Sequence, residues 1–327
     1  MYPQIDDIHS HTLAVANPNF ARRGLLIWTA SIILSAACLI GFVLFMDPYA
    51  YVGAPRVDGV NAHKYEMSEF GRISKFKEIT RVAPQGIVLG NSQGEGGFKT
   101  QTLERLTGLS FYNFSVLGAK IDETEIALKF ALRNTQTRMV VLSLDLIALE
   151  TDVTRARNLQ NRADGEWMQT LRDSFDLHAS LKALFAAAKQ LIFNISAKAP
   201  SHDEYGNWVA RKVIPIDDDA SPIGLPEINQ PALNSFTEIC RLAKARNIEL
   251  KIIIPPVYKS FGVKPQRRRM WIDQLTTIAS QYNFLITDEG NDDKVTANKQ
   301  NFIDRGHITK VVGDQILEQL FQSGTDR

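Results

Sequence analysis

From Gly24 to Met46 the chain reads GLLIWTASIILSAACLIGFVLFM, a run without one charged residue. Hydrocarbon offers no partner to a backbone amide, so a stretch of this length and apolarity satisfies itself only as a helix crossing the membrane. A transmembrane helix over 24–46 is therefore expected. Arg22 and Arg23 stand directly before the run, and the next basic residue beyond it is Arg56. The excess of positive charge on the cytoplasmic side then leaves residues 1–23 as a cytoplasmic tail and exports everything after Asp47. The expected location is the inner (cytoplasmic) membrane, single-pass, with the main domain periplasmic or extracytoplasmic. A cleaved signal peptide competes for the same residues, because paired arginines also introduce signal sequences. The run is long for such a segment, however, and no A-x-A site follows it. Ser35-Ala36-Ala37-Cys38 lacks the leucine that a lipoprotein cleavage box places three residues before its cysteine.

Bulk charge narrows the partners. Lys+Arg 37 against Asp+Glu 36 leaves a net charge of +1 in 327 residues, which gives no basis for a nucleic-acid partner. Cys38 and Cys240 are too few for a disulfide framework or a metal cluster. His9 and His11 have the spacing of a metal pair without a third ligand, and His63, His178 and His202 are scattered. Neither a metal nor a cofactor is expected. Residues 1–21, polar and aperiodic with Pro3 and Pro18, read as a disordered tail.

Beyond the membrane run, residues 47–82 read as a linker and an N-terminal helix. Tyr49 and Tyr51 suit the membrane interface, and Phe70, Ile73, Phe76 and Ile79 line one face of a helix over Lys64–Arg81. From residue 83 to 327, short apolar runs alternate with helical periodicity. Strands are expected at Gly86–Leu89, Ser110–Phe114, Arg138–Leu144, Glu249–Ile254 and Asn283–Thr287. Helices are expected at Lys99–Leu106, Asp122–Arg133, Pro231–Arg246, Gln266–Tyr282 and His307–Phe321. Strands joined by helical crossovers predict a three-layer α/β/α sandwich around a five-stranded parallel, flavodoxin-like sheet in the order 2-1-3-4-5. The alternation breaks over 150–228, an insertion with an apolar helix at Leu181–Ile195 and a Pro/Asp/Gly-rich remainder. It reads as a lid or docking surface over the carboxyl edge of the sheet.

That edge is where open α/β sheets bind ligands. Gly90-Asn91-Ser92 closes the first strand run and puts a hydroxyl there. A serine hydroxyl is a weak nucleophile until a base takes its proton and a third group orients the base. Asp304-Arg305-Gly306-His307, next to the last helix, supplies both. Ser92, His307 and Asp304 are thus the candidate catalytic triad. The bland alternatives are a small residue at a tight turn and a helix-capping histidine. Gly94-Glu95-Gly96-Gly97 matches neither G-x-G-x-x-G nor a Walker loop, so nucleotide binding is not expected. Arg267-Arg268-Arg269 reads as a solvated helix start or a contact for an anionic polymer.

Gly90-Asn91-Ser92, the loop Tyr112-Asn113-Phe114-Ser115-Val116-Leu117-Gly118-Ala119 and Asp304-Arg305-Gly306-His307 resemble three sequence blocks of the SGNH (GDSL-like) hydrolase superfamily. The resemblance covers about residues 80 to 322. An exported domain on a membrane anchor is similar to its branch of cell-envelope polysaccharide O-acyltransferases and esterases. The resemblance implies Ser92 as nucleophile, His307 as general base, Asp304 as its orienter, and the N–H groups of Ser92 and Gly118 as the oxyanion hole. It also implies a polysaccharide or acyl-donor substrate and a polysaccharide-biosynthesis complex as partners. Two positions depart from the pattern. Asn91 stands where an aspartate is usual, and Ser143-Leu144-Asp145-Leu146 replaces a Gly-x-Asn block whose asparagine completes the hole. An ionised Asp145 aimed into the site would repel an oxyanion. Either it faces elsewhere, bonded to a loop backbone, or it is protonated, or Asn91 or Gln93 supplies the missing donor, or activity is low or lost. The expected function is a serine-dependent O-acyl (acetyl) transferase or esterase on an exported or cell-envelope polysaccharide. A catalytically inactive partner in a polysaccharide assembly or export complex is the alternative.

Overall fold

The computed structural model describes residues 18–322 apart from 50–51, 56, 58–59, 62–66, 167, 169–171, 174, 194–202, 204, 209–212, 218–223, 228 and 262–263. Residues 1–17 of the expected tail, with His9 and His11, lie outside the described residues, as do His63 and His202. Helix α1 (Pro18–Met46) contains the apolar run and starts within the stretch read as a tail. Residues 22–46 are long and apolar enough to cross a membrane. Along most of α1 the large side chains face outward, as with Ile27, Trp28, Ile33 and Leu34. Only near its end do Val43 and Met46 become buried.

The sheet has the expected topology. Strands β1 (Gly86–Gly90), β2 (Phe111–Asn113), β3 (Met139–Ser143), β4 (Glu249–Ile254) and β5 (Ile286–Asp288) pair in parallel in the order β2-β1-β3-β4-β5. All of β1 and β3 is buried, because helices cover both faces and leave neither to water. Alternate side chains go to opposite faces. Ile87, Leu89, Val140, Leu142 and Ile252 join one apolar cluster, whereas Val88, Val141 and Ile253 join the other.

The first cluster is closed by α2 (Met67–Val82), α5 (Ile121–Asn134), α8 (Gln230–Ala245) and α9 (Pro265–Gln281), through Ile79, Phe130, Phe236 and Trp271. The second is closed by α4 (Thr100–Thr107) and α11 (Lys310–Gln322), through Leu103 and Ile316. Local signals set the helix starts. The Asn229 side chain accepts the Ala232 N–H at 2.8 Å to cap α8, and Glu123 reaches back to the Lys120 N–H at 3.1 Å to cap α5.

Two expected element boundaries need correction. His307 does not begin the last helix: β6 (Phe302–Asp304) and β7 (His307–Ile308) form an antiparallel pair, and α11 starts only at Lys310. The Asp304 carboxylate accepts the Gly306 N–H at 2.9 Å, which turns the chain back and lets Ile308 enter the second cluster. The fifth strand starts at Ile286 rather than Asn283, because Asn283 takes a left-handed φ of 62° while ending α9.

The insertion is divided rather than laid over the sheet as one lid. Its first helix, α6 (Val153–Ala163), packs on α5 and α2, with Leu159 in the first cluster. A second, α7 (Leu177–Phe193), lies beside α1, with Ala179 against Tyr49 and Ile73. The later stretch does run past the sheet's carboxyl edge. Tyr205 O accepts the Asn113 N–H at 2.8 Å, and the Ile214 N–H donates to Ile303 O at 2.8 Å.

Candidate active site

The site begins where β1 stops. Gly90 has φ 144°, and a Cβ there would lie 2.5 Å from the Ser143 carbonyl oxygen, so only glycine lets β1 finish this close to β3. The next residue starts a helix. Asn91 Oδ1 accepts the Gln93 N–H at 3.0 Å and caps α3 (Ser92–Gly97), which sets Ser92 at the first helical position. The glycine-rich stretch is therefore a tightly packed helix rather than an open loop. A Cβ on Gly94 would come within 2.7 Å of the Ser115 hydroxyl.

The other half arrives on the β6–β7 hairpin, where Asp304 and His307 are register partners. Ser92 Oγ lies 2.7 Å from His307 Nε2. On the far side of the ring, His307 Nδ1 lies 2.7 Å from Asp304 Oδ1 and 3.0 Å from Oδ2. An ionised Asp304 keeps the ring proton on Nδ1, which leaves the Nε2 lone pair to accept the serine hydroxyl. The histidine and aspartate side chains are each about one-fifth exposed, so a reactant can reach them. Three residues chosen from the two ends of the domain thus form one hydrogen-bonded chain. Cys240 is no rival nucleophile, since burial pushes its thiol up to about 12.

Asp145 sits at the end of β3 with both oxygens engaged. Oδ1 accepts the Ile147 N–H at 2.9 Å, and Oδ2 accepts from Asn91 Nδ2 at 2.7 Å. Burial pushes its carboxyl above the ordinary range, while the bonds from Asn91 and Ile147 and the nearby His307 pull it down. It is bonded to a loop backbone, and through Asn91 it also braces the residue that precedes Ser92. One Asn91 amide hydrogen is used in this way. Gln93 Nε2 donates to Gly306 O at 2.8 Å, tying α3 to the hairpin.

Gly118, with φ 64°, occupies the third position of a turn closed by the Ala119 N–H on Val116 O at 2.9 Å. It lines a cavity of about 520 Å³ with Arg72, Arg155 and Arg162. The described residues contain no group of three or more His, Cys, Asp or Glu able to hold a metal.

Two supports of α3 escaped the sequence reading. Lys75, fully buried on α2, donates to Glu95 Oε1 at 2.8 Å, Ser115 O at 2.7 Å and Gly206 O at 2.9 Å. Asn113, at the end of β2, donates to Gly94 O and Phe98 O at 3.0 and 3.2 Å. The available signal was a lysine beside Phe76 and one turn before Ile79, within the apolar stripe of the helix.

The chain matches no protein-family model, and no curated protein is similar to it. Among solved structures, a Streptococcus pneumonia protein provisionally named platelet activating factor is similar at 12% identity and a TM-score of 0.42. The match covers 79% of this chain and 92% of that one.

Proposed function

We propose that this protein is a membrane-anchored, SGNH-like serine enzyme that transfers or hydrolyses an O-acyl group, in our reading acetyl, on an exported or cell-envelope polysaccharide. The observation that carries the reading is the hydrogen-bonded chain from Ser92 through His307 to Asp304, at 2.7 Å in each step. In the proposed reaction, Ser92 Oγ attacks the acyl carbonyl as its proton passes to His307 Nε2, and Asp304 stabilises the imidazolium. The Ser92 N–H, one of the donors a helix start leaves outside its own ladder, meets the developing oxyanion, with the Gly118 N–H as its partner. His307 protonates the departing oxygen. A sugar hydroxyl or a water then attacks the acyl-serine, giving its proton to Nε2, and His307 returns that proton to Ser92 Oγ as the acyl–serine bond breaks.

A fluorophosphonate probe tests the nucleophile in the full chain, held in detergent micelles. Wild type should label covalently and Ser92→Ala should not. A folded wild type that stays unlabelled supports the second reading, a non-catalytic partner in a polysaccharide assembly complex. Asp145 favours that second reading, because its carboxylate occupies the neighbourhood of the proposed hole. The proposal also places α1 in the inner membrane with residues after Asp47 outside the cytoplasm. Protease added to intact spheroplasts should digest the domain, and full protection would reverse the orientation.

A further inference from the structure

The cavity beside Gly118 has features that the proposed chemistry does not use. It is lined by Tyr49, Arg72, Arg155, Asn158, Arg162 and Arg172, with a volume of about 520 Å³, within the range of small-molecule sites. Two carboxylates, Asp173 and Asp176, complete the charged lining, so guanidinium groups outnumber them two to one.

These charges are not equivalent. Arg72 is held bidentate by Glu123, at 2.8 and 3.2 Å, and donates to Leu117 O. Arg162 is held bidentate by Asp173, at 2.7 and 3.0 Å. Asp176 is occupied too, accepting from Tyr49 Oη at 2.7 Å and the Ala179 N–H at 2.8 Å. These pairs form the walls. Arg155, in contrast, has among the described residues only Asp152 at 3.4 Å and Gly118 O at 3.5 Å for its guanidinium, and its side chain is half exposed. An exposed pair of that kind is weak and can open. Arg172 is exposed and makes no ion pair among the described residues. Two planar forks therefore remain for an anion, and Asn158, one turn after Arg155 on α6, adds a neutral donor on the same face.

Depth identifies the anion's source. The apolar helix ends at Met46, and Tyr49 lines the cavity three residues later, a distance of at most about 10 Å even for extended chain. The headgroup layer extends roughly 5–8 Å beyond the hydrocarbon. Tyr49 is also fixed in place: its carbonyl accepts from the Ser74 hydroxyl, and its phenol donates to Asp176 at the start of α7. The cavity is thus clamped at headgroup level. We propose that it binds the phosphate of a membrane lipid, with Arg155 and Arg172 as the two forks on the phosphate oxygens. The site is independent of whether Ser92 reacts.

The test uses the full chain in phosphate-free, uncharged detergent, with thermal unfolding as the readout of binding. The probes are dihexanoyl phosphatidic acid, dihexanoylglycerol and inorganic phosphate. The phosphatidic acid should stabilise the wild type, and Ser92→Ala equally. The double variant Arg155→Ala/Arg172→Ala should bind it about tenfold to a hundredfold more weakly, while melting like the wild type without ligand. Dihexanoylglycerol should give no shift. Arg155→Lys/Arg172→Lys, which keeps charge without the fork, should fall between the two. Unchanged binding by the alanine pair would overturn the site. Inorganic phosphate binding as tightly as the lipid would overturn the lipid assignment.

Discussion

Ser92, His307 and Asp304 lie in one hydrogen-bonded line, and replacing the last of them separates geometry from electrostatics. Asp304→Asn retains the shape, but its amide can donate to Nδ1 and favour the wrong tautomer. On the proposed mechanism, fluorophosphonate labelling should slow by about 10³–10⁴-fold with little change in melting temperature. Asp145 makes a different prediction. Its folded-state carboxyl is raised above 3.8, chiefly by burial, so the folded protein binds the proton more tightly than the unfolded chain does. Stability from this group is therefore present at low pH and falls as pH rises from 3.8 through the folded value. Asp145→Asn removes that loss. Melting curves across pH should show the variant gaining on wild type through this window, with a constant difference above it. The triad positions could be read from the chain because the chemistry demands particular residue types beside strand and turn signals. The partners of Asp145 could not, since Asn91 is 54 residues away and meets it only where β1 and β3 end together.

Helix α3 depends on an element outside the sheet. Lys75 of α2 holds Glu95, Ser115 and Gly206 together from a fully buried position. Removing only the lysine leaves the Glu95 carboxylate buried without that charge partner. Lys75→Met should therefore cost roughly 3–5 kcal/mol, measured by denaturant unfolding in detergent, and adding Glu95→Gln should recover part of it. The strands were legible as elements because β1 and β3 are almost wholly apolar runs of five residues between clear breaks, and β4 alternates Glu249 and Lys251 with apolar residues before it ends in Ile252–Ile254. The β6–β7 pair was not, for two or three residues carry no period, and a histidine before a helical pattern reads as part of the helix. The hairpin exists because Asp304 folds its carboxylate onto Gly306 and because Phe302 and Ile308 both have a core to enter.

Over the whole molecule, the apolar helix sets one boundary condition and the sheet another. Ile33 and Leu34 lie near the middle of the 22–46 span and are about two-thirds exposed in the protein, as a lipid-facing surface requires. Replacing both with lysine should cost about 2.5–3.5 kcal/mol each on insertion. Wild type should stay in the membrane pellet after alkaline extraction, and the double variant should move substantially to the soluble fraction. The interruption of the strand–helix alternation was visible in the chain, but its division was not. Its pieces bind three different surfaces: α6 on α5 and α2, α7 on α1, and the stretch around Tyr205 on the end of β2.

Local physics was enough to specify the membrane-length helix, the parallel sheet with its strand order, and the residue types of the candidate triad. The helix, the strands and the triad residue types depend on spacing within a few residues (uncharged length, period, or a turn following an apolar run), and the strand order follows from the handedness of the helical crossovers between them. The hairpin carrying His307, the bonding of Asp145 to Asn91, the buried Lys75 and the arginine cavity behind Tyr49 came only with the folded chain. The last three join residues far apart in sequence, so no short window contains both partners, and what makes each favourable is burial and pairing in three dimensions. The hairpin lies within Phe302–Ile308, too short to show a period, and only the core that Phe302 and Ile308 enter decides it.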